Sequence, residues 1–336
     1  MKRACIVCLG MMLALAGVVR GGDVNGVALA HVHRGGVGYG SDACATQLKA
    51  IAGLGANWVA LNDFGYMPSV SQPQLTFRGD RTLGRAAVLK TIADAHAAGL
   101  KVLIKPHLWS REFGNASKWP GDVKMTSEAD WAAWFAAYGD YVVDQATIAA
   151  EGNADGLCVG VELEGTSGRE ADWRALIARV RAVYKGPLTY CAAFLEWKQI
   201  AWWDAVDVIG ISAYFPVAKD SPPAEADVRL GWAKVYDELG PVARRFGKRV
   251  CFLELGYTPS TTAAAEPWSY KLIGHDPAAQ AMLYRVAIDE ADQRDFMAGV
   301  FVWKWFTADQ QGRRGDPFGL QDKDQTLAAL KAAWTK

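Results

Sequence analysis

Two glutamates each stand at the end of an apolar stretch that has the pattern of a buried strand. Glu162 closes the stretch that begins at residue 156, and Glu254 closes the stretch that begins at residue 249. A carboxylate among apolar side chains is costly unless it is paired, hydrogen-bonded or protonated, so a fold seldom keeps two of them for stability alone. Two such groups are the minimum equipment for hydrolysis of a glycosidic bond. The alternative, that each is an exposed strand-end residue or an ion-pair partner, stays open on these residues alone.

Both glutamates follow strands in a chain that alternates strands and helices. Predicted strands cover residues 26–33, 57–62, 102–108, 156–162, 188–193, 207–215, 249–254 and 298–306. Helical patterns cover residues 43–54, 83–98, 131–150, 171–184, 228–246, 277–291 and 325–334. Eight strands in strict alternation predict an α/β fold, a single-domain (β/α)8 TIM barrel, rather than an open doubly wound sheet. In such a barrel the C-terminal ends of all strands meet at one rim, where active sites lie.

The alternation of side chains along a strand predicts which residues share a face with each glutamate. On the fourth predicted strand, Cys158 and Gly160 are expected to face the barrel interior with Glu162. Val159 and Val161 are then expected to face the surrounding helices.

The same reasoning brings polar and aromatic side chains from other strands to the rim. They are Asn62 after the second strand, Lys105, His107 and Trp109 on the third, Tyr214 on the sixth, and Trp303 and Trp305 on the eighth. Aromatic faces stack on sugar rings, and polar groups bind sugar hydroxyls. Taken singly, a histidine or tryptophan here is as readily structural, and only their agreement on one rim favours a saccharide site. Tyr214 is the expected hydrogen-bond donor to Glu254, and Lys105 and His107 are expected to position sugar hydroxyls or tune the carboxylates.

Glu164 has the same parity as Glu162 but stands two residues further along, where the strand gives way to a loop. We expect Glu164 to be more exposed than Glu162 and to contact substrate outside the reacting centre. The assignment of the acid therefore goes to Glu162.

Length and charge exclude several other functions. The chain has 336 residues, which suits one barrel of ~250 residues with additions, and its 36 Lys and Arg balance its 36 Asp and Glu. A balanced charge offers no basic surface for nucleic acid or for an anionic membrane. We therefore expect a monomer whose partner is a polysaccharide or oligosaccharide substrate.

The N-terminus has the pattern of an export signal. Lys2 and Arg3 precede an apolar run over residues 4–19, and residues 14–16 fit a small-x-small cleavage site. The run is shorter than the ~20 residues that span a bilayer, which favours a signal peptide over a membrane anchor. The sequence predicts a signal peptide over residues 1–22, cleaved between residues 16 and 22, and a catalytic barrel over residues 23–336. The processed protein would be secreted or periplasmic and free of the membrane.

The remaining cysteines and histidines do not form a metal-binding pattern. The four cysteines beyond the signal are expected to be buried free thiols: Cys44, Cys158, Cys191 and Cys251. His31 and His33 resemble the HxH pair of some metal-dependent barrel hydrolases, but such sites need further histidines on later strands, and the strands that would supply them carry none. We expect no metal and no organic cofactor.

Several segments in order along the chain resemble clan A retaining glycoside hydrolases, and glycoside hydrolase family 113 most of all. They are residues 57–67, 105–107, 159–163, 207–214, 254–257 and 303–305. The resemblance implies a β-mannanase that cleaves β-1,4 bonds with retention. It also implies that Glu162 is the acid/base, that Glu254 is the nucleophile, and that Tyr257, three residues after Glu254, contacts substrate.

One position departs from the clan pattern. Many clan members carry asparagine immediately before the acid/base, where it contacts the sugar 2-hydroxyl, and this chain has Val161 there. Asn62 is a substitute by position only. A retaining hydrolase of another β-glycan and a non-catalytic carbohydrate-binding barrel are therefore the alternatives to a mannanase.

Overall fold

The computed structural model describes residues 23–33, 35–79, 83–114, 118–308 and 316–336. The predicted signal peptide lies outside these residues. Ten strands occur in the described part of the chain: β1 Val24–Ala30, β2 Trp58–Leu61, β3 Phe64–Met67, β4 Lys101–Ile104, β5 His107–Ser110, β6 Gly156–Val161, β7 Leu188–Ala192, β8 Val208–Ser212, β9 Arg249–Leu255 and β10 Met297–Phe306.

Eight of these strands form a closed barrel, in the order β1-β10-β9-β8-β7-β6-β4-β2. Each neighbouring pair is parallel. The predicted single-domain (β/α)8 barrel is confirmed. Strands β3 and β5 form a separate two-stranded parallel sheet at the C-terminal end of β2 and β4.

Helices surround the barrel and begin and end close to the predicted positions. They are α1 Asp42–Gly53, α2 Arg85–Ala97, α3 Arg111–Gly114, α4 Glu128–Glu151, α5 Glu170–Val183, α6 Glu225–Phe246, α7 Pro277–Asp292 and α8 Asp324–Trp334. Ser41 and Ser127 cap α1 and α4 by accepting a backbone N–H with their side chains. Gly247 ends α6 with a φ of 62°, a left-handed conformation that glycine adopts without a steric penalty.

Large aromatic side chains fill the layer between the helices and the barrel. Trp173 and Trp202 stack with their ring centroids 4.8 Å apart, and Trp203 packs beside them. All three are fully buried, so they pack in the helix layer rather than at the rim. A side chain of this size removes roughly 150–250 Å² from water, worth about 4–6 kcal/mol as an upper estimate.

The third predicted strand is shorter in the structure than in the prediction. Strand β4 ends at Ile104, and the chain resumes as β5 at His107, beyond Pro106. Proline has no backbone N–H. The N–H groups on either side of Pro106, those of Lys105 and His107, donate to the backbone oxygens of Leu61, at the end of β2, and Asp63, just after it. Strand β5 pairs with β3, which lies between residues 62 and 83, where the sequence predicts neither a strand nor a helix.

The predicted alternation of β6 is wrong from Gly160 onward. Cys158 and Val161 both face the barrel interior, while a Cβ on Gly160 would lie only 2.9 Å from the Trp173 ring in the helix layer. The cause is a bulge: two residues separate Cys158 from Val161, but only Tyr190 separates their partners on β7. An extra residue in one strand reverses the faces beyond it.

A second irregularity moves Trp305 away from the rim. Residues Val27 and Leu29 of β1 pair with Val302 and Trp305 of β10, so β10 carries one extra residue. Trp305 consequently lies in the helix layer, where its indole Nε1 donates to Gln47 of α1 at 2.7 Å. The prediction that it shares a face with Trp303 is wrong for this reason.

The four predicted cysteines are buried free thiols. Among the residues that the structure describes, no helix combines the length and the apolar character needed to cross a bilayer.

Candidate active site

An open cavity of about 610 Å³ lies at the C-terminal end of the barrel strands. Its walls carry both glutamates and a set of aromatic rings. The lining residues are Phe64, His107, Leu108, Trp119, Pro120, Glu162, Ala193, Phe194, Tyr214, Glu254, Trp268, Tyr270, Trp303 and Phe318. Of the predicted site residues, the structure therefore brings five to this cavity, and Lys105 lies directly behind it.

Glu254 is held by two hydrogen-bond donors. Lys105 Nζ donates to its Oε1 at 2.7 Å, and the Tyr214 hydroxyl donates to its Oε2 at 3.0 Å. The hydrogen bond predicted from Tyr214 is thus present. Glu254 is 5% exposed, so these contacts replace the water that an ionised carboxylate would otherwise require. The arrangement favours a charged carboxylate that opens into the cavity.

Lys105 is fully buried and supplies the positive charge for this pair. Besides Glu254, its ammonium donates to the backbone oxygen of Leu253 at 3.1 Å and lies 5.1 Å from the Trp303 ring. Burial opposes the charge of Lys105, but the adjacent carboxylate of Glu254 outweighs it, so the pKa of Lys105 lies above its ordinary value. Lys105 therefore forms a buried ion pair with the carboxylate of Glu254.

Glu162 follows β6 in a left-handed backbone conformation, with a φ of 54°. Its N–H donates to the backbone oxygen of Cys191 at 2.7 Å, which fixes the turn. This turn returns Glu162 to the cavity although the bulge has reversed the alternation of β6. A non-glycine residue in this conformation costs on the order of 1 kcal/mol, so the surrounding contacts must hold it.

The electrostatic setting of Glu162 is opposite to that of Glu254. Desolvation by the surrounding protein and the nearby charge of Glu254 raise the pKa of Glu162 to about 8, against the opposing effects of a hydrogen bond from Ser212 and the charge of Lys105. At neutral pH, Glu162 is therefore mainly protonated. One cavity thus holds a carboxylic acid and a stabilised carboxylate, the pair that acid catalysis and nucleophilic attack each require.

His107 has a free hydrogen-bonding position in the same cavity. Burial, with the charges of Lys105 and Lys304, holds the pKa of His107 well below its ordinary value, so the imidazole is neutral. Its Nε2 is 3.8 Å from Glu254 Oε1, too far for a hydrogen bond, and has no partner within the described residues. A buried nitrogen without a partner is costly, and a sugar hydroxyl would satisfy it.

Five predicted substrate-contact residues do not line the cavity. Trp109 is 40% exposed and packs edge-on against Tyr66 outside it. Tyr257 is fully buried, and its ring packs against that of Tyr284. Trp305 lies in the helix layer, as described above.

The other two are Asn62 and Glu164. Asn62 is 1% exposed, and its Nδ2 donates to the backbone oxygen of Leu29. Glu164 begins a short 3₁₀ turn, Glu164–Thr166. Both Glu164 and Glu162 are half-buried, and the structure does not show the expected greater exposure of Glu164.

Most of the aromatic wall comes from loops that sequence reasoning missed. Phe194 stacks on Trp268 with ring centroids 5.3 Å apart and planes 7° from parallel, and Tyr270 meets Phe318 edge-on at 4.8 Å. Trp268 and Tyr270 are 46% and 58% exposed. Exposed aromatics in a loop that follows a strand bearing a carboxylate are a usable signal for a carbohydrate site, although periodicity does not register them.

The alternative of a metal site at His31 and His33 finds no support in the described residues. His31 Nδ1 accepts the N–H of Tyr39, and no group of three or more His, Cys, Asp or Glu side chains is arranged to hold a metal ion.

The buried pair of Lys105 and Glu254 leads to a prediction about stability. Lys105→Met is expected to lower the free energy of unfolding at neutral pH by about 3–5 kcal/mol, because it leaves the Glu254 charge buried without its partner. Glu254→Gln should also destabilise the protein, because it leaves the cation unpaired. The double variant should be more stable than the sum of the two losses implies, since it buries neither charge. Urea denaturation of all four proteins measures this, and additive losses would contradict it.

A family model described as Glycoside Hydrolase Family 113 matches residues 30–322 of this chain. The solved structure of the GH113 β-mannanase AaManA from Alicyclobacillus acidocaldarius, in complex with ManMIm, is 26% identical, covers 94% of this chain and 97% of its own, and has a TM-score of 0.82. A GH113 β-1,4-mannanase is 23% identical over 93% of this chain and 99% of its own, with a TM-score of 0.82. A family 5 mannosidase from Rhizomucor miehei shares the fold at 10% identity, covering 93% of this chain and 92% of its own, with a TM-score of 0.60. No curated protein sequence matches the chain.

Proposed function

This chain belongs to glycoside hydrolase family 113, and from that membership we propose that it hydrolyses β-1,4-linked mannan with retention of anomeric configuration. Glu254 acts as the nucleophile, and Glu162 acts as the acid/base. The observation that carries the proposal is the contrast between two carboxyl groups in one cavity. Glu254 accepts hydrogen bonds from Lys105 and Tyr214, whereas the pKa of Glu162 is raised to about 8 by desolvation and by the charge of Glu254.

The first half of the reaction breaks the glycosidic bond. An oxygen of Glu254 attacks the anomeric carbon, and the proton of Glu162 passes to the leaving oxygen. The products are a covalent glycosyl-enzyme and the released chain end. Lys105 and Tyr214 orient the attacking carboxylate by donating hydrogen bonds to its two oxygens.

The second half returns the enzyme to its starting state. Glu162, now ionised, takes a proton from water while the water oxygen attacks the anomeric carbon of the glycosyl-enzyme, and the bond from that carbon to Glu254 breaks and releases Glu254 as a carboxylate. Two inversions at the same carbon give net retention. The raised pKa of Glu162 serves both halves, because the group gives up a proton and then recovers one near neutral pH.

The cavity supports a saccharide substrate. Trp303 and Trp268 line the cavity, where a pyranose can stack on an aromatic ring, and Nε2 of His107, which has no partner among the described residues, can hydrogen-bond to a hydroxyl. The role of the asparagine that precedes the acid/base in many clan members is not filled by Val161, which faces the barrel interior. Asn62, Glu164, Trp109, Tyr257 and Trp305 do not line the cavity, so the proposal gives them no direct contact with the substrate.

Mannan as the substrate follows from the relatives. The two family 113 structures are described as β-mannanases, and one of them was solved with ManMIm bound. Hydrolysis of mannan, glucan, xylan and galactan, followed by reducing-end release, tests this directly. We expect release from mannan at least about tenfold faster than from the others, since one misplaced hydroxyl contact costs about 1–3 kcal/mol. Preference for another glycan would make the protein a different β-glycanase, and binding without hydrolysis would make it a carbohydrate-binding barrel.

We also propose that the enzyme acts outside the cytoplasm as a monomer. Support for export comes from Lys2 and Arg3 before the apolar run of residues 4–19. N-terminal sequencing of the exported protein should give a start between residues 17 and 23, and a start at Met1 would contradict this.

A further inference from the structure

A third glutamate is fully buried close to Glu162, and the reaction proposed above does not use it. Glu196 opens the short 3₁₀ turn Glu196–Lys198 that follows β7, and none of its surface is exposed. Within the described residues, no lysine, arginine or histidine forms a salt bridge with its carboxylate. Hydrogen bonds must therefore compensate for the loss of water around it.

The carboxylate of Glu196 has three donors around it. The Tyr190 hydroxyl lies 2.5 Å and the Ser167 hydroxyl 2.8 Å from its Oε1, and the Ala193 N–H lies 2.8 Å from its Oε2. Tyr190 is on β7, while Ser167 is in the loop that follows Glu162. Glu196 thus joins two loops that both contribute to the active-site cavity.

The link continues from Tyr190 to the backbone of the acid/base. The N–H of Leu163, the residue after Glu162, donates to the Tyr190 hydroxyl at 2.9 Å. Because that hydroxyl accepts from Leu163, its own hydrogen is directed to Glu196. The left-handed turn at Glu162 is therefore fixed on one side by Cys191 and on the other by the series Leu163, Tyr190, Glu196.

We propose that Glu196 is a positioning residue that holds the acid/base Glu162 in its reactive orientation through Tyr190 and Ser167. The inference rests on the proposed function, since it takes Glu162 to be the acid/base. It also explains why the carboxyl group of Glu196 is buried among hydrogen-bond donors of two loops.

The hydrogen bonds require a carboxylate rather than an amide at this position. In Glu196→Gln, an amide NH₂ facing Ala193 would place a donor against a donor. The reverse orientation would put the NH₂ against the Tyr190 hydroxyl, whose hydrogen would then lose its acceptor. Either orientation loosens the turn at Glu162.

The charge of Glu196 also acts on Glu162. Glu162 faces Glu254 of β9, Lys105 after β4 and Ser212 of β8, and the negative charge of Glu196 adds to the effect of Glu254 in raising the pKa of Glu162. Tyr214 after β8 lies nearby as a neutral hydroxyl, since burial raises its pKa well above the ordinary value.

Glu196 is itself affected by its surroundings. Burial raises the pKa of Glu196 to about 7, against the hydrogen bonds from Tyr190, Ala193 and Ser167, while the charge of Glu164 raises it further. On the alkaline side of the pH profile of kcat/KM, near pH 8, Glu196 is therefore mainly ionised. Removing the negative charge of Glu196 should lower the pKa of Glu162, so that Glu162 loses its proton, and activity falls, at a lower pH.

The test compares Glu196→Gln and Tyr190→Phe on two substrates. One is a mannooligosaccharide, whose leaving group needs a proton, and the other is a dinitrophenyl mannoside, whose leaving group does not. We expect Glu196→Gln to lose about 10- to 100-fold in kcat/KM on the oligosaccharide and much less on the activated substrate. Its alkaline limb should move to lower pH by on the order of 0.5 unit. Tyr190→Phe, which removes one oxygen, should show the same dependence on the leaving group.

Glu238→Gln is the matched control, because Glu238 pairs at the surface with Lys198 of the same turn. It should leave both rates and the pH profile as in the wild type. Equal losses on both substrates with an unmoved limb would show a purely structural role for Glu196 and overturn the proposal. If Glu196→Gln does not fold, a wild-type profile for Tyr190→Phe overturns it equally.

Direct titration separates this proposal from the proposed function. Carbon-13 NMR of labelled glutamate carboxyls, with Glu162 assigned by its loss in Glu162→Gln, gives the apparent pKa of Glu162 without any substrate. A lower value in Glu196→Gln supports the link even if mannan is not the substrate. An unchanged value overturns it even if mannan hydrolysis is fully established.

Discussion

Replacing Glu254 with alanine is expected to lower kcat on mannan by on the order of 10⁵-fold, because the covalent route closes when its nucleophile is removed. Such a loss corresponds to about 7 kcal/mol of transition-state stabilisation. Binding of oligosaccharide should survive, since Trp303, Trp268 and His107 remain in the cavity. Initial rates and isothermal titration with mannooligosaccharides measure the two effects separately.

The variant also leaves a space beside a buried cation. Lys105 Nζ, which lies 2.7 Å from Glu254 in the wild type, would attract a small anion such as azide into that space. Azide should therefore restore cleavage of a dinitrophenyl mannoside by displacing dinitrophenolate, and the mannosyl azide should have inverted configuration, because azide attacks from the face that Glu254 used. Formation of a retained azide in this variant would assign the nucleophile to another residue. Glu254→Gln, which fills the space, is the control and should not respond to azide.

The barrel itself could be predicted because its determinants are local and periodic. Helix ends such as Gly247, and apolar strands such as residues 249–254, are patterns that a single sequence displays. The strand ends then placed Glu162 and Glu254 at one rim without any knowledge of loops. The order of β1 next to β10 follows from closing a sheet of eight such units.

Faces along the strands could not be predicted beyond a bulge. Gly160 and Val161 exchange sides because β6 carries one extra residue relative to β7, and Trp305 moves because β10 carries one relative to β1. A bulge depends on the register between two strands distant in sequence, and no local pattern encodes it. Glu162 reaches the cavity through a φ of 54°, so its position there has a cause other than alternation.

The support around the acid/base was also beyond sequence reasoning. Glu196 follows Leu195 and precedes Trp197, and nothing in that spacing distinguishes it from a surface glutamate. Only the folded chain brings its carboxylate within 2.5 Å of the Tyr190 hydroxyl. The aromatic walls from Trp268 and Phe318 likewise depend on how two loops fold over the rim.

Replacing Glu162 with alanine is expected to affect substrates according to their leaving groups. On mannan, whose leaving oxygen needs a proton, kcat/KM should fall by about 10³- to 10⁴-fold. On a dinitrophenyl mannoside, glycosylation needs no acid, so the glycosyl-enzyme should accumulate and give a burst followed by slow turnover. Azide should accelerate that turnover and give a mannosyl azide of retained configuration, because Glu254 still forms the intermediate. An inverted azide from this variant would exchange the two assignments.

The pH profile tests the same residue through its protonation. Because the pKa of Glu162 is raised to about 8 and the group must carry a proton to act as an acid, kcat/KM of the wild type on mannan should fall as the pH rises through about 8. The alkaline limb should be absent in Glu162→Ala on the activated substrate, since no acid is then titrated. Glu164→Gln, two residues away in the same loop and outside the cavity, should keep most of the activity and the same alkaline limb. Equal losses in Glu162→Gln and Glu164→Gln would remove the assignment of Glu162 as the acid, because the two differ in whether the carboxyl reaches the cavity that holds Glu254.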